Sequence, residues 1–160
     1  MVAIDVLHAC DLGCTQDAVG HILWEALEKL MKGNSRAARL QRLQLRLKGY
    51  YKSHKPPAQI QTLTLEMIRS TNGKKTKTPK LRAQGAETRH IVPFALELAQ
   101  DLHHKFNSSH SQTLSMVSKL FDFYMNLDLD VYNVQWGRSP AANSACFINR
   151  LKMKRLPKNH

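Results

Sequence analysis

Three aspartates near the amino terminus are the first residues whose type and spacing could do chemistry. Asp5, Asp11 and Asp17 lie six residues apart, and His8 stands between the first two. Carboxylates bind Mg²⁺, and phosphoryl transfer by two metal ions needs ligands that converge on both of them. Because six residues is not a helical repeat, these side chains need not share a helix face. We therefore predict no complete metal site here, and Asp17 is more simply interpreted as a first-turn residue of a helix.

A second possible site consists of two cysteines, Cys10 and Cys14, which lie between His8 and His21. Thiolates and imidazoles are good zinc ligands, but the spacing differs from the Cys-x-x-Cys pattern of the common zinc knuckle. Free cysteine is also among the most buried residue types. Packing in the core is therefore the favoured interpretation, and the sequence predicts no metal ligands.

Positive charge is the strongest chemical signal in the chain. The 160 residues include 24 Lys and Arg against 12 Asp and Glu, giving a formal net charge of +12 and an isoelectric point near 9.9. The charge is uneven, since residues 29–90 contain sixteen bases and two acids, whereas residues 1–28 contain five acids and no base. A segment of this kind is typical of contact with nucleic acid, because Lys and Arg bind phosphates by releasing counterions.

The candidate nucleic-acid contacts are the basic side chains of this segment, with Tyr50 and Tyr51 between them as residues that could stack on unpaired bases. Several arginines repeat at helical intervals, and a run of lysines follows a turn at Asn72-Gly73. The alternative interpretation is a solvated helix face followed by an exposed loop. The predicted contacts are Arg36, Arg39, Arg42, Arg46, Lys48, Lys52, Lys74, Lys75, Lys77, Lys80 and Arg82.

Helical periodicity of the apolar residues accounts for most of the chain. Thr15 and Ser35 are the expected caps of the first two helices, and Pro56-Pro57 ends the second. Pro93 indicates that the third helix begins or kinks there. Residues 60–69 fit either a short helix or a strand, and residues 127–137 are expected to be irregular. The predicted helices cover residues 15–30, 35–52, 86–106, 113–126 and 139–154.

The predicted architecture is mainly α, with five or six helices in a single bundle-like domain over residues 1–160. Alternating β-branched residues at 2–6 allow one short N-terminal strand. Residues 70–82 are expected to form a basic exposed loop, and residues 155–160 a basic tail. No apolar run approaches the roughly 18–20 residues that cross a membrane. Without a secretory signal pattern, and with three cysteines, we expect an intracellular, nuclear protein without membrane contact.

An ordered set of sequence blocks points to a family. Asp5-Val6-Leu7-His8 forms an Asp-x-x-His segment, and Asp11-Leu12-Gly13 and Leu23-Trp24-Glu25 follow it. This part resembles eukaryotic cut-and-paste DDE transposases, most closely the CACTA and Plavaka-like groups. Later blocks are similar to transposon-derived reading frames, so that the resemblance extends over almost the whole chain. Those blocks are residues 55–57, 63–68, 79–94 and 156–160.

The resemblance implies a specific chemistry. Transposases of this kind cut and join DNA with two Mg²⁺ ions, which Asp, Asp and Glu hold on an RNase H-like core. The chain would correspond to the end of that core and to a helical insertion before the catalytic Glu. Asp5 and His8 match the family motif position by position. The first catalytic Asp and the catalytic Glu would lie upstream and downstream of this sequence, with Glu66, Glu87 and Glu97 as possible substitutes for the latter.

Three functional hypotheses follow, in decreasing order of preference. The first is a transposon-derived DNA-binding fragment of a DDE-type transposase, without autonomous catalysis and without a cofactor, since Mg²⁺ is expected only in a complete transposase. The second is a small basic helical module that binds an acidic protein partner in a larger assembly. The third is an enzyme with a metal site near Asp5, His8 and Asp11.

Overall fold

The fold consists of helices joined by short extended segments. The computed structural model describes residues 7–69, 78–106 and 110–136, with side chains over 10–69, 78–106 and 110–126. Within these ranges the protein is mainly helical, which confirms the predicted fold class. The strand predicted at 2–6, the helix at 139–154 and the tail at 155–160 lie outside the described residues. The α-helices are α1 (Thr15–Glu25), α2 (Arg36–His54), α3 (Leu65–Ile68), α4 (Gly85–Phe106) and α5 (Ser111–Trp136).

The first helix is part of a longer helical run. π-helical turns at Leu7–Cys14 and Ala26–Leu30 precede and follow α1, and the chain kinks at Gly13, where φ is −100° and ψ is −111°. Cys14 already has helical dihedral angles and makes no side-chain cap. The prediction that Thr15 caps this helix is therefore wrong, because helical turns begin before it and Thr15 is fully buried.

The second helix begins where the sequence predicts and ends at His54, two residues beyond the predicted end and before the predicted stop at Pro56-Pro57. The Ser35 hydroxyl accepts a hydrogen bond from the Ala38 backbone N–H at 3.2 Å, which satisfies one free amide of the first turn. At the other end Lys55 adopts the left-handed conformation with φ 47°, and a proline follows it. The segment that follows α2 is held against this helix, since the Tyr51 hydroxyl accepts a hydrogen bond from the Ile60 N–H at 3.2 Å.

The third and fourth helices settle two open expectations. Residues 60–69 contain a short helix, α3. The Thr64 hydroxyl caps its first turn by accepting a hydrogen bond from the Met67 N–H at 3.2 Å. Helix α4 begins at Gly85 and includes Pro93, so it does not start at that proline. Its first turn is capped because the Glu87 carboxylate accepts from the Gln84 N–H at 2.9 Å.

Helix α5 is longer than the sequence pattern predicted. The irregular segment expected at 127–137 is wrong over most of its length, since the helix continues to Trp136. No glycine or proline occurs between Ser111 and Trp136, and the first is Gly137. Nothing in the local sequence therefore interrupts the helix before that point.

The chain forms two compact units, Met1–Asp122 and Phe123–His160. In the first unit α1 packs against α4, while α2 packs against the Ala26–Leu30 turn. This arrangement buries one side of α2 and leaves its other side in solvent. The described part of the second unit is the helical segment that ends at Trp136. The fully buried side chains of the first unit include Val19, Ile22, Leu23, Leu43, Leu47, Ile91, Phe94 and Leu98.

A stretch of extended backbone crosses α1 at Gly20. The Leu81 N–H donates to the Gln16 carbonyl at 2.8 Å, and the Gln16 side-chain amide donates to the Ala83 carbonyl at 2.8 Å. The crossing depends on the missing side chain, because a Cβ at Gly20 would lie 2.3 Å from the Leu81 nitrogen. Leu81 itself is fully buried. The exposed loop predicted at 70–82 is therefore anchored to the core at its last residues.

Candidate nucleic-acid interface

Two of the predicted nucleic-acid contacts, Arg36 and Arg39, are engaged inside the protein. Both guanidinium groups donate to the Glu28 carboxylate at 2.8 Å. Arg36 also lies over the Trp24 ring, 5.2 Å from its centroid, while Arg69 lies 4.7 Å from the same ring. These contacts join the start of α2 to the preceding helical run. They give Arg36 and Arg39 a structural role, and the single Glu28 carboxylate offsets one of their two positive charges.

Arg46 is paired as well. Its guanidinium donates to the Asp101 carboxylate at 2.5 Å, which connects α2 to α4. Both side chains are partly exposed, so the pair contributes at most about 1 kcal/mol to stability. Its significance for binding is that a phosphate would have to compete with Asp101 for this arginine.

The remaining basic side chains of α2 make no ion pair within the described part of the chain. All of them are exposed, and they occupy the side of the helix away from buried Leu43 and Leu47. We call this set the cationic face of α2. Its members are Arg42, Lys48, Lys52 and, at the end of the helix, Lys55.

Two uncharged residues lie within the cationic face and were missed by the sequence analysis. Leu45 is 62% exposed, and a Cβ at Gly49 would meet nothing within 4 Å. The available signal was their position, since both are out of phase with the buried Leu43 and Leu47. The face therefore combines an exposed leucine and a gap at Gly49 with its cations, of which Lys52 lies about 20° from Leu45 around the axis.

Gly49 offers a test of this placement. Glycine inside a helix is less favourable than alanine by about 0.8–1.0 kcal/mol, and here a methyl group has open space around it. We expect Gly49→Ala to raise the free energy of unfolding by about 0.5–1 kcal/mol, measured by urea denaturation. A loss of stability would contradict the exposed position of Gly49.

The predicted stacking role of Tyr50 and Tyr51 is wrong. Their exposed fractions are only 9% and 7%, so neither ring is open to an unpaired base. The Tyr50 ring stacks on His54 with 4.1 Å between centroids. Burial raises the pKa of both phenols above the ordinary value. The tyrosines belong to the core that supports α2, and the cationic face lacks stacking rings from this pair.

The basic loop is closed at its base by backbone hydrogen bonds. The Lys80 N–H donates to the Ile68 carbonyl and the Arg82 N–H to the Met67 carbonyl, each at 2.8 Å. The Lys80 ammonium lies 3.4 Å from Asp17, whereas Arg82 is exposed and makes no ion pair with the described residues. The predicted contacts Lys74, Lys75 and Lys77 lie outside the described residues and stay a prediction.

The two described aspartates near the amino terminus, Asp11 and Asp17, have separate basic partners. Asp11 is fully buried, and Arg89 donates to its carboxylate at 2.9 Å. Asp17 is exposed and faces Lys80. Among the described side chains there is no group of three or more His, Cys, Asp or Glu that could hold a metal ion. Asp5 and the His8 side chain lie outside the described residues.

The two described cysteines are free thiols. Cys10 is half-buried and burial raises its pKa, while Cys14 is exposed. The core-packing interpretation therefore does not hold for Cys14. Its Sγ lies 3.9 Å from the Cys10 carbonyl oxygen, one helical turn away.

The carboxylates around the start of α2 make stability sensitive to acid. Burial raises the pKa of Glu28, but hydrogen bonds and charge from Arg36 and Arg39 outweigh it, so the net pKa is below the ordinary 4.5. Glu25 behaves likewise, because burial is outweighed by hydrogen bonds from Lys29 and His110.

A carboxylate with a lowered pKa stabilises the fold above its unfolded pKa, and that contribution is lost as pH falls through the folded value. We expect the urea midpoint to drop as pH falls below 4.5. In Glu28→Gln this pH dependence should be weaker than in the unaltered protein. An identical pH profile for the two proteins would contradict the assignment.

The comparisons with known proteins give no relative. No family model matches the chain, and no curated protein or solved structure is significantly similar to it. None of the described helices is long and apolar enough to cross a membrane.

Proposed function

We propose that this protein binds double-stranded DNA through the cationic face of α2, and that it derives from a DDE-type transposase without retaining autonomous catalysis. The transposase origin rests on the resemblance of the ordered sequence blocks. The binding function rests on charge and geometry. With DNA as the partner, a nuclear location follows.

The observation that carries the proposal is the division of the basic residues of α2 into two groups. Arg36, Arg39 and Arg46 have carboxylate partners, whereas every member of the cationic face is exposed without one in the described structure. A cation without a carboxylate partner can bind a phosphate without first breaking an ion pair inside the protein. The cationic face therefore supplies the attraction that phosphate contacts need.

The absence of autonomous catalysis is supported by Asp11. A metal ligand at this position would have to give up the ion pair between buried Asp11 and half-buried Arg89. Asp11 is therefore already engaged in a contact within the protein, and among the described residues it belongs to no group of three or more His, Cys, Asp or Glu that could hold a metal ion. We propose that Asp11 holds the helical run against α4 rather than holding Mg²⁺.

The test is the salt dependence of DNA binding by the full chain. Four phosphate contacts predict a slope of about −3 to −4 for log affinity against log salt concentration, or roughly 100-fold weaker binding at 200 mM than at 50 mM salt. Fluorescence anisotropy with a labelled mixed-sequence duplex measures it. Absence of binding at about 50 mM salt, where phosphate contacts are strongest, would overturn the proposal.

Exposed Leu45 favours a second candidate function, an acidic protein partner. An apolar side chain that is 62% exposed inside a charged face is common at protein interfaces. This candidate predicts that polyglutamate binds at least as tightly as a duplex of equal charge. Clear preference for the duplex would exclude it.

A further inference from the structure

The exposed side of α2 has a profile that suits a groove. Successive residues of an α-helix turn by about 100°, so Arg42 and Lys48 lie about 60° to either side of Leu45. Gly49 lies between Leu45 and Arg42 around the axis, and it has open space above it. Seen along the helix, Arg42 and Lys48 flank Leu45, Gly49 leaves a gap beside it, and Lys52 lies about 20° from Leu45 two turns further on.

We propose that this side of α2 enters the major groove of B-form DNA. Leu45 and Gly49 would face the base edges, and Arg42 and Lys48 would reach the phosphates of the two strands. This inference deepens the proposed function and rests on it, since it specifies how the duplex is held.

The dimensions of the partners support this choice. An α-helix with its side chains is about 10–12 Å across, and the major groove of B-DNA is about 12 Å wide. The minor groove, at about 6 Å, is too narrow for a helix. The major groove of A-form RNA is deep and narrow, so side chains cannot reach its bases. A helix face without a central projection at Gly49 therefore fits B-DNA among the common duplexes.

The chemistry of the face agrees with its shape. An exposed leucine has no partner in water, but in the major groove it contacts the thymine methyl group. Tyr50 and Tyr51 are buried, so this face lacks the aromatic rings with which single strands are usually held. Both features favour a duplex over an unpaired strand.

The experiment compares three proteins, the unaltered chain, Gly49→Ala and Gly49→Phe, on the same duplex. All three carry the same charge, and circular dichroism checks that each is helical. Gly49→Phe adds a large ring within the face, so we expect about tenfold weaker binding, while Gly49→Ala, which adds one methyl group, should weaken binding less. Protection of guanine N7 from dimethyl sulfate, which reacts in the major groove, is the second readout.

The outcomes separate this inference from the proposed function. Groove entry would be overturned if binding depends on salt but guanine N7 atoms stay reactive and Gly49→Phe binds as tightly as Gly49→Ala. Phosphate binding by α2 would then still hold. Equal affinity for an RNA duplex or a single strand of the same length would also overturn it. No duplex binding at low salt would overturn the proposed function itself, and groove entry with it.

Discussion

The double substitution Lys48→Glu and Lys52→Glu is expected to lower the affinity of the protein for duplex DNA about 100-fold at about 50 mM salt. Each phosphate contact contributes about tenfold at this salt concentration through counterion release, and two contacts are lost. The salt dependence should also become shallower by about 2 units of slope, one for each lysine. Both side chains are exposed, so the fold should be unaffected. Fluorescence anisotropy over a salt series measures both quantities.

The matched control is Lys105→Glu with Lys119→Glu. These lysines are also exposed, lie on α4 and α5, and change the net charge of the protein by the same amount. We expect a smaller loss of affinity from them, because neither lysine belongs to α2 and each acts on the DNA through a field that salt screens over roughly 15 Å at this concentration. If the control weakens binding as much as the α2 variant does, net charge alone attracts the DNA and the cationic face has no special role.

The largest effect on stability is expected from Gly20→Ala. The added Cβ would lie 2.3 Å from the Leu81 nitrogen and 2.5 Å from backbone carbon atoms of Lys80. The crossing backbone cannot move away without losing its hydrogen bonds to Gln16. Overpacking of this kind costs about 1–3 kcal/mol, and we expect a loss of unfolding free energy at the upper end of that range. Urea denaturation of the variant and the unaltered chain measures the loss.

Gly49→Ala is the control for this prediction, since it makes the same chemical change inside another helix. Helix propensity favours alanine at both positions by about 0.8–1.0 kcal/mol. Only the surroundings differ, because Gly49 has open space and Gly20 has a backbone against it. The two substitutions should therefore change stability in opposite directions. A stabilising Gly20→Ala would show that residues 80 and 81 do not cross α1 as described.

The sequence predicted local structure well where local chemistry decides it. Ser35 caps the start of α2 because its hydroxyl accepts from an amide three residues further on. At the other end, Pro56 directly follows the capping residue Lys55. Both signals lie within a few residues of the boundary they set. The mainly helical class follows in the same way from apolar periodicity.

The candidate site was predicted less well, because distant residues decide which arginines are available. The helical spacing of the arginines correctly placed them on α2. It contained no information about Glu28, which pairs with Arg36 and Arg39, or about Asp101, which lies 55 residues beyond Arg46. Charge periodicity describes a helix in isolation, whereas ion pairs depend on how helices pack.

The crossing at Gly20 has the same explanation, whereas the burial of the tyrosines follows from their spacing of seven and eight residues from buried Leu43. Tyr50 and Tyr51 lie among basic residues in the sequence, but their helix positions turn them towards the core. Gly20 is one residue of an amphipathic pattern, and its role is set by Leu81, which is 61 positions away in the sequence. Contacts of such separation follow from tertiary packing, which overrides local pattern.

The measurement that most directly tests DNA binding by α2 is a lysine-reactivity footprint of the full chain. Acetic anhydride modifies exposed lysines, and mass spectrometry compares each site with and without a saturating duplex at low salt. We predict that Lys48, Lys52 and Lys55 are strongly protected by DNA, while Lys105 and Lys119 react as before. Equal protection of all five lysines, or protection confined to Lys105 and Lys119, would contradict the cationic face of α2 as the DNA-binding surface.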